Sequence, residues 1–350
     1  MWQQDLPAVT LRNSLVAQIC GILLHRGSFF HNNERETVLS RKKIISRIIQ
    51  IVIVLFGISF LTFLLTYLAP GDPAQIMLTS SGIMPTASAV EELREKMGFN
   101  DPFFVQYFRW LTNALRGDFG TSFSLNKPVV QLLAARLWPT LKLTLFSMIL
   151  MLIIAVPLGM VSAVKKDTWI DNLIRGITFL GVSIPNFWVG LLLMLCFCVR
   201  INYFPVISSQ GDFKSMVLPS VTLAIAMSAK YTRQVRTAIL EELSSDYVVG
   251  ARARGVKEWK ILWLNVFPNS LLPLITMFGL SVGSLLGGTS VVEVIFSYPG
   301  LGSLAVAAIT SNDYNLIQGY VLWIALIYMV INLLVDISYN FVDPRMRLAR

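Results

Sequence analysis

Six apolar runs, at about 44–68, 141–164, 174–199, 216–238, 270–295 and 316–341, dominate the chain, each 20 or more residues long. At 1.5 Å rise per residue, a helix of that length covers a hydrocarbon core of roughly 30 Å. Only 14% of residues are charged and 55% are hydrophobic, where a soluble domain carries about 25% charge. The expected class is therefore all-α, a polytopic membrane protein with about six transmembrane helices. The fourth run is the weakest. It opens at Met216-Val217-Leu218-Pro219 and already meets Lys230 and Arg233.

The net charge of +9 could suggest nucleic acid, but the basic residues fall where a membrane topology puts them. Arg41, Lys42, Lys43 and Arg47 precede the first run, and Lys165, Lys166 and Arg175 separate the second from the third. Lys230, Arg233, Arg236, Arg252, Arg254, Lys257 and Lys260 surround the gap between the fourth and fifth, while segment 296–315 has no Lys or Arg. The positive-inside rule then places both termini in the cytoplasm. Loop 69–138, with six basic and six acidic residues, lies outside, since long loops cross regardless of charge. Nucleic acid is not an expected partner; the lipid bilayer is. Residues 1–43 lack a signal-peptide pattern. Leu11 to Leu24 fits an amphipathic surface helix, and an irregular extension fits equally well.

Loop 69–138 carries its own structure. Pro70-Gly71-Asp72-Pro73 signals a turn. Ser88 to Met97 has helical spacing with acids in its first turns, and Phe103 to Leu115 is aromatic-rich and amphipathic. Short helices over the outer mouth of the bundle are expected.

Between the fourth and fifth runs, Asp246 to Pro273 reads as two short helices joined by a turn. Asp246 can cap the first, Gly250, Ala251 and Ala253 give it a small face, and Gly255 permits the turn. The second helix leads through Pro268 into the fifth span. Such a knob suits a groove in a soluble partner; a loop lying on the membrane fits the same residues. Gly279, Gly283 and Gly287 share one face of the fifth span, a spacing that lets helices approach closely or lines a path. Pro157 and Pro185 are expected to kink their spans. Glu293 and Asp336 are the acids nearest the membrane, both near span ends, where capping or pairing fits as well as a functional role.

Several stretches taken together resemble the permeases of binding-protein-dependent ABC importers, in particular the peptide/nickel family. The segment Asp246-Tyr-Val-Val-Gly-Ala-Arg-Ala-Arg-Gly255 is similar to that family's EAA loop. Pro70–Pro73, Gly117-Asp-Phe-Gly-Thr-Ser122, Gly181-Val-Ser-Ile-Pro-Asn-Phe-Trp188, Glu293-Val-Ile-Phe-Ser-Tyr-Pro-Gly-Leu-Gly302, Asn332–Asp336 and Asp343–Arg347 match as well. Val249 and Gly250 depart from the general Glu-Ala pattern. The resemblance implies a type I ABC importer transmembrane fold: extension 1–43, first helix 44–68, loop 69–138, a five-helix domain 139–341 that contains the coupling loop 246–268, and tail 342–350. It implies that Asp246, Ala251, Arg252, Ala253, Arg254, Gly255 and Pro268 meet an ATPase subunit, with Arg252 and Arg254 at its rim. Gly279, Gly283, Gly287 and Pro185 would belong to helix packing or the pore. Implied partners are a second homologous permease, two ABC ATPase subunits and an extracytoplasmic substrate-binding protein, in the bacterial cytoplasmic membrane. The implied cargo is nickel, carried as a chelate, or small peptides.

The chain itself holds no G-x-x-x-x-G-K-[ST], so ATP and Mg would bind the ATPase subunits and no cofactor is expected here. Gly300-Leu-Gly-Ser-Leu-Ala305 imitates a dinucleotide motif without a preceding strand and reads as a turn. No metal site is expected from Cys20, Cys196, Cys198, His25 and His31, because Cys196 and Cys198 point apart on a helix and both His lie in the extension. A gradient-driven secondary transporter would show inverted repeats and mid-membrane acids, and a membrane enzyme would show a catalytic constellation; neither pattern is visible.

Overall fold

A computed structural model describes residues 41–80, 82–208 and 212–342. The extension up to residue 40, including Leu11–Leu24, and the tail from residue 343 lie outside the described residues. Two compact units divide the chain, Met1–Gly57 and Ile58–Arg350. The first contributes the start of helix α1 (Arg41–Tyr67), where Ile45, Ile48, Ile49, Val52 and Ile53 are exposed, as lipid-facing side chains are.

In the second unit, the segment after α1 folds as three short helices, α2 (Pro73–Ser80), α3 (Ala87–Met97) and α4 (Phe103–Leu115). Asp72 Oδ1 accepts the Ala74 N–H at 3.1 Å and opens α2. Thr86 caps α3, and Gly98, at φ 70°, closes it. The acids Glu91 and Glu92 fall just beyond the first turn of α3 rather than in it.

Helix α5 (Val129–Val164) is 36 residues long. It begins at Val129, well before the apolar run at 141, because Arg136, Pro139 and Lys142 dilute the hydropathy of its first turns without stopping the helix. Pro157 leaves it unbroken. Pro185 does far more than kink: α6 (Trp169–Ser183) and α7 (Asn186–Leu193), which continues in a wide helical turn Met194–Arg200, are bent by 96°. Proline removes an N–H and disfavours helical backbone in the residue before it, and Ile184 is extended at ψ 129°.

Helix α8 (Phe213–Leu243) holds the fourth run, α9 is Asp246–Ala253, and α10 is Glu258–Ile261. A wide turn, Leu262–Val266, joins α10 to α11 (Phe267–Gly288); α12 (Ser290–Ile295), α13 (Leu301–Thr310) and α14 (Tyr314–Val342) complete the chain. Ile45–Tyr67, Val129–Val164 and Tyr314–Val335 are each long and apolar enough to cross a membrane, and the bent α6–α7 pair passes as a fourth span. The remaining two runs fall on α8, the weakly apolar one, and on α11 with α12.

Helix α8 is the central post. Within a membrane, packing comes from close fit rather than from water exclusion. A Cβ on Gly159 of α5 would stand 2.6 Å from Val235 Cβ of α8, so this pair is drawn together by a missing side chain. Asp171, fully buried, accepts two hydrogen bonds from Arg236 of α8, at 2.8 and 2.7 Å, and one from Ser162 of α5 at 2.5 Å. That three-helix clamp was not visible in the sequence, where Arg236 stands 65 positions from Asp171.

Candidate functional site

Ser245, not Asp246, precedes the first helical residue of the knob; Asp246 occupies the first turn of α9, where a carboxylate complements the helix dipole. The helix ends as the glycine predicts. Gly255 sits at φ 75°, its N–H bonds the Arg252 carbonyl at 2.9 Å, and the Val256 N–H reaches back to Ala251 at 3.2 Å. This is the double closure of a left-handed C-terminal cap.

Inward, the knob is apolar. Val248, Ala251, Ile261 and Val266 pack with Met160 and Ala163 of α5, Val235 and Ile239 of α8, and Leu274 of α11. Ala251 therefore belongs to the chain's own core and cannot be part of a docking face; the small helical face is split, with Ala251 inside and Ala253 exposed. Arg252 is occupied as well, bonding Glu258 through Nε at 2.7 Å and Nη2 at 3.1 Å. That pairing holds the Glu258 carboxyl below its ordinary range. Arg254, Lys257 and Trp259 stay exposed. Pro268, the second residue of α11, is also exposed, and lacks the N–H that a regular turn would use. The wide turn Leu262–Val266 ends two residues before it and contains the carbonyl four residues back that the ring would otherwise crowd.

Gly279 and Gly283 are buried and face α14. A Cβ on Gly283 would run into the Tyr328 ring, and one on Gly279 into Val335; these two glycines pack against α14. The surroundings of Gly287 lie outside the described residues. Pro185 sits with Val182, Phe187, Val291 and Val292 around a cleft of about 400 Å³. Cys198 is buried with Sγ 3.6 Å from the Pro205 carbonyl, while Cys196 is exposed, so the two diverge as expected.

Two acids that tie remote segments together complete the picture. Glu293 is fully buried. It accepts from Thr140 Oγ1 at 2.9 Å, Thr289 Oγ1 at 3.2 Å and the Ser303 N–H at 2.9 Å, with the Gly302 N–H as a further donor. It caps α13 from a distance and locks it to α5, which answers the structural reading of this residue. The side chain of Asp336 lies outside the described residues. Asp313, also fully buried, accepts from Ser122 Oγ at 2.5 Å, from the Ser124 N–H and Oγ at 3.0 Å each, and from the Leu316 N–H at 3.2 Å. It pins the Gly-Asp-Phe-Gly-Thr-Ser segment to the start of α14. Sequence reading missed this acid; its signal was a lone Asp directly before an aromatic-rich helix.

Comparison with known proteins agrees with this architecture. The family described as "Binding-protein-dependent transport system inner membrane component" matches residues 155–348, and its N-terminal counterpart matches 41–144. An oligopeptide transport system permease of Bacillus subtilis is 41% identical over 314 residues, covering 86% of this chain and 98% of the relative. A metal-staphylopine import system permease of Staphylococcus aureus is 37% identical over 307 residues, with 87% and 98% covered. A glutathione transport system permease of Escherichia coli is 36% identical over 304 residues, with the same coverage. In fold, the chain is similar to a solved structure of the MetNI methionine ABC transporter, with a TM-score of 0.51 at 20% identity over 61% of this chain and 97% of that one. An all-helical bundle with an ordered knob between its fourth and fifth apolar helices, matched along nearly its whole described length, is a transport subunit and not an enzyme: the chain belongs to the inner-membrane permeases of binding-protein-dependent ABC importers.

Proposed function

We propose that this permease forms the path for small peptides or metal chelates, in a complex with a second homologous permease, two ABC ATPases and an extracytoplasmic binding protein. ATP and Mg are handled by the ATPases, and both termini face the cytoplasm, as the Lys/Arg distribution requires. The observation that carries this reading is the knob: a short helix closed by Gly255 and followed by a continuous helical path into α11. Movement imposed on it reaches the bundle as rigid-body displacement. Its docking face is the exposed set, Ala253, Arg254 and Trp259, rather than Ala251.

The test is Gly255→Val. A β-branched residue at φ 75° is strongly disfavoured, while open space around Gly255 spares the rest of the fold. The variant should insert and fold normally, yet lose co-purification of the ATPases and transport-linked ATP turnover. Wild-type values in both assays would remove the coupling role.

Cargo is supported by relatives that handle oligopeptides, glutathione and a metal–staphylopine complex. With no His in any apolar run, few soft ligands could hold a bare ion, so nickel is proposed to travel chelated. Titrating the cognate binding protein with peptides and with nickel chelates separates the two cargoes.

A further inference from the structure

Helix α4 has three edges, and only two are accounted for. Phe103, Tyr107 and Trp110 meet Phe60, Phe63 and Tyr67 of α1, with ring centroids 5.0–5.8 Å apart. Gln106, Arg109 and Asn113 line a cavity of about 680 Å³ beside Asp72 and Arg94. The remaining edge carries Phe104, Phe108, Leu111 and Leu115, one to three turns apart on one side of the helix. Phe104 is 62% exposed, Phe108 53% and Leu115 80%.

Depth decides what covers that edge. The Tyr107 hydroxyl lies 2.9 Å from Ser59 Oγ, and both residues are buried. Ser59 stands eight residues before Tyr67, the last residue of α1, and so about 12 Å below the end of that spanning helix. The helix stays apolar to its end, and Leu65, Tyr67 and Leu68 there are exposed, so hydrocarbon reaches that level. A helix that crosses α1 at Ser59 is therefore beneath the membrane surface, and its bare apolar edge is there with it. Its polar edge is turned the other way, to the cavity. This is the division found in helices that lie in a bilayer interface.

We propose that α4 is seated in the leaflet at the Tyr67 end of α1, with Phe104, Phe108, Leu111 and Leu115 against phospholipid acyl chains. The segment between the first two spans is then anchored in the bilayer and is not a freely water-exposed cap. Its cavity has one wall whose far side is lipid.

The experiment uses the assembled transporter in nanodiscs, in a background lacking Cys20, Cys196 and Cys198. Bimane is attached at Phe104→Cys, Phe108→Cys or Asn113→Cys. Dibrominated phosphatidylcholine should remove most of the emission at 104 and 108, where aqueous iodide should have little effect. Asn113, on the polar edge, should show the reverse. Equal iodide quenching at all three would put the edge in water. Shielding of 104 and 108 from both quenchers would mean that a second protein surface covers it. Either result overturns the proposal, and the two aromatic positions read independently should one variant fail to assemble.

Discussion

Helix α11 joins two regions that are held together by different physics. Beyond its C-terminal end, Glu293 is buried among Thr140, Thr289, Gly302 and Ser303, segments far apart in sequence. Before its N-terminal end, the knob is held by non-directional apolar packing of Val248, Ala251, Ile261 and Val266, one glycine turn and the exposed Arg252–Glu258 pair. A buried polar network is expensive to open, because each donor that loses its acceptor has no water to replace it. An exposed pair and a glycine turn are cheap to rearrange. Directional, buried polar contacts are thus concentrated at one end of α11, and apolar or exposed contacts that tolerate small shifts at the end proposed to meet the ATPase.

The largest test of that contrast is Glu293→Ala. It strands several buried donors, each worth about 1–3 kcal/mol, and should cause a marked fall in folded yield and in the unfolding temperature in detergent. A variant as stable as wild type would abolish the distinction. An intermediate effect is expected midway along the helix. Gly283→Leu drives a side chain into Tyr328, and overpacking of this kind costs about 1–3 kcal/mol; α11 and α14 should separate enough to lower monodisperse yield. The smallest effect belongs to Arg252→Ala, at about 0–1 kcal/mol for an exposed pair. Because Glu258 titrates below its ordinary 4.5, the pair's contribution is fully present above that value and is lost only as pH falls further. Stability of the Arg252→Ala variant relative to wild type should therefore not change between about pH 6 and 8. A loss well above about 1 kcal/mol at neutral pH would show that the knob leans on its ion pair more than its exposure allows.

What could be read from the sequence was local. Phe103–Leu115 as a helix, the turn at Pro70–Pro73 and the left-handed Gly255 all follow from residues within one or two turns of each other. Where a local signal was ambiguous, the structure corrected it. Charge and proline at Arg136, Pro139 and Lys142 hid the first turns of α5, and Ser245 took the place before α9 that Asp246 could equally have filled. Three small residues in α9 gave no indication of which would face inward, and Ala251 did. The contacts that organise the bundle join residues more than 60 positions apart, as in Asp171 with Arg236, Thr140 with Glu293, and Ser122 with Asp313. No periodicity within one helix could announce them.

From Glu258 to Gly288 the backbone is helical without interruption, wide turn included. At 1.5 Å per residue that is a rod of about 46 Å. If it pivots near its middle, a tilt of about 10° swings each tip by about 4 Å in opposite senses. Such a swing needs no residue to change its backbone conformation. The Gly279 and Gly283 contact with α14 lies in the half of the helix away from the knob and nearer the pivot, so a push at Trp259 would arrive there as a displacement of about half the size and reversed direction.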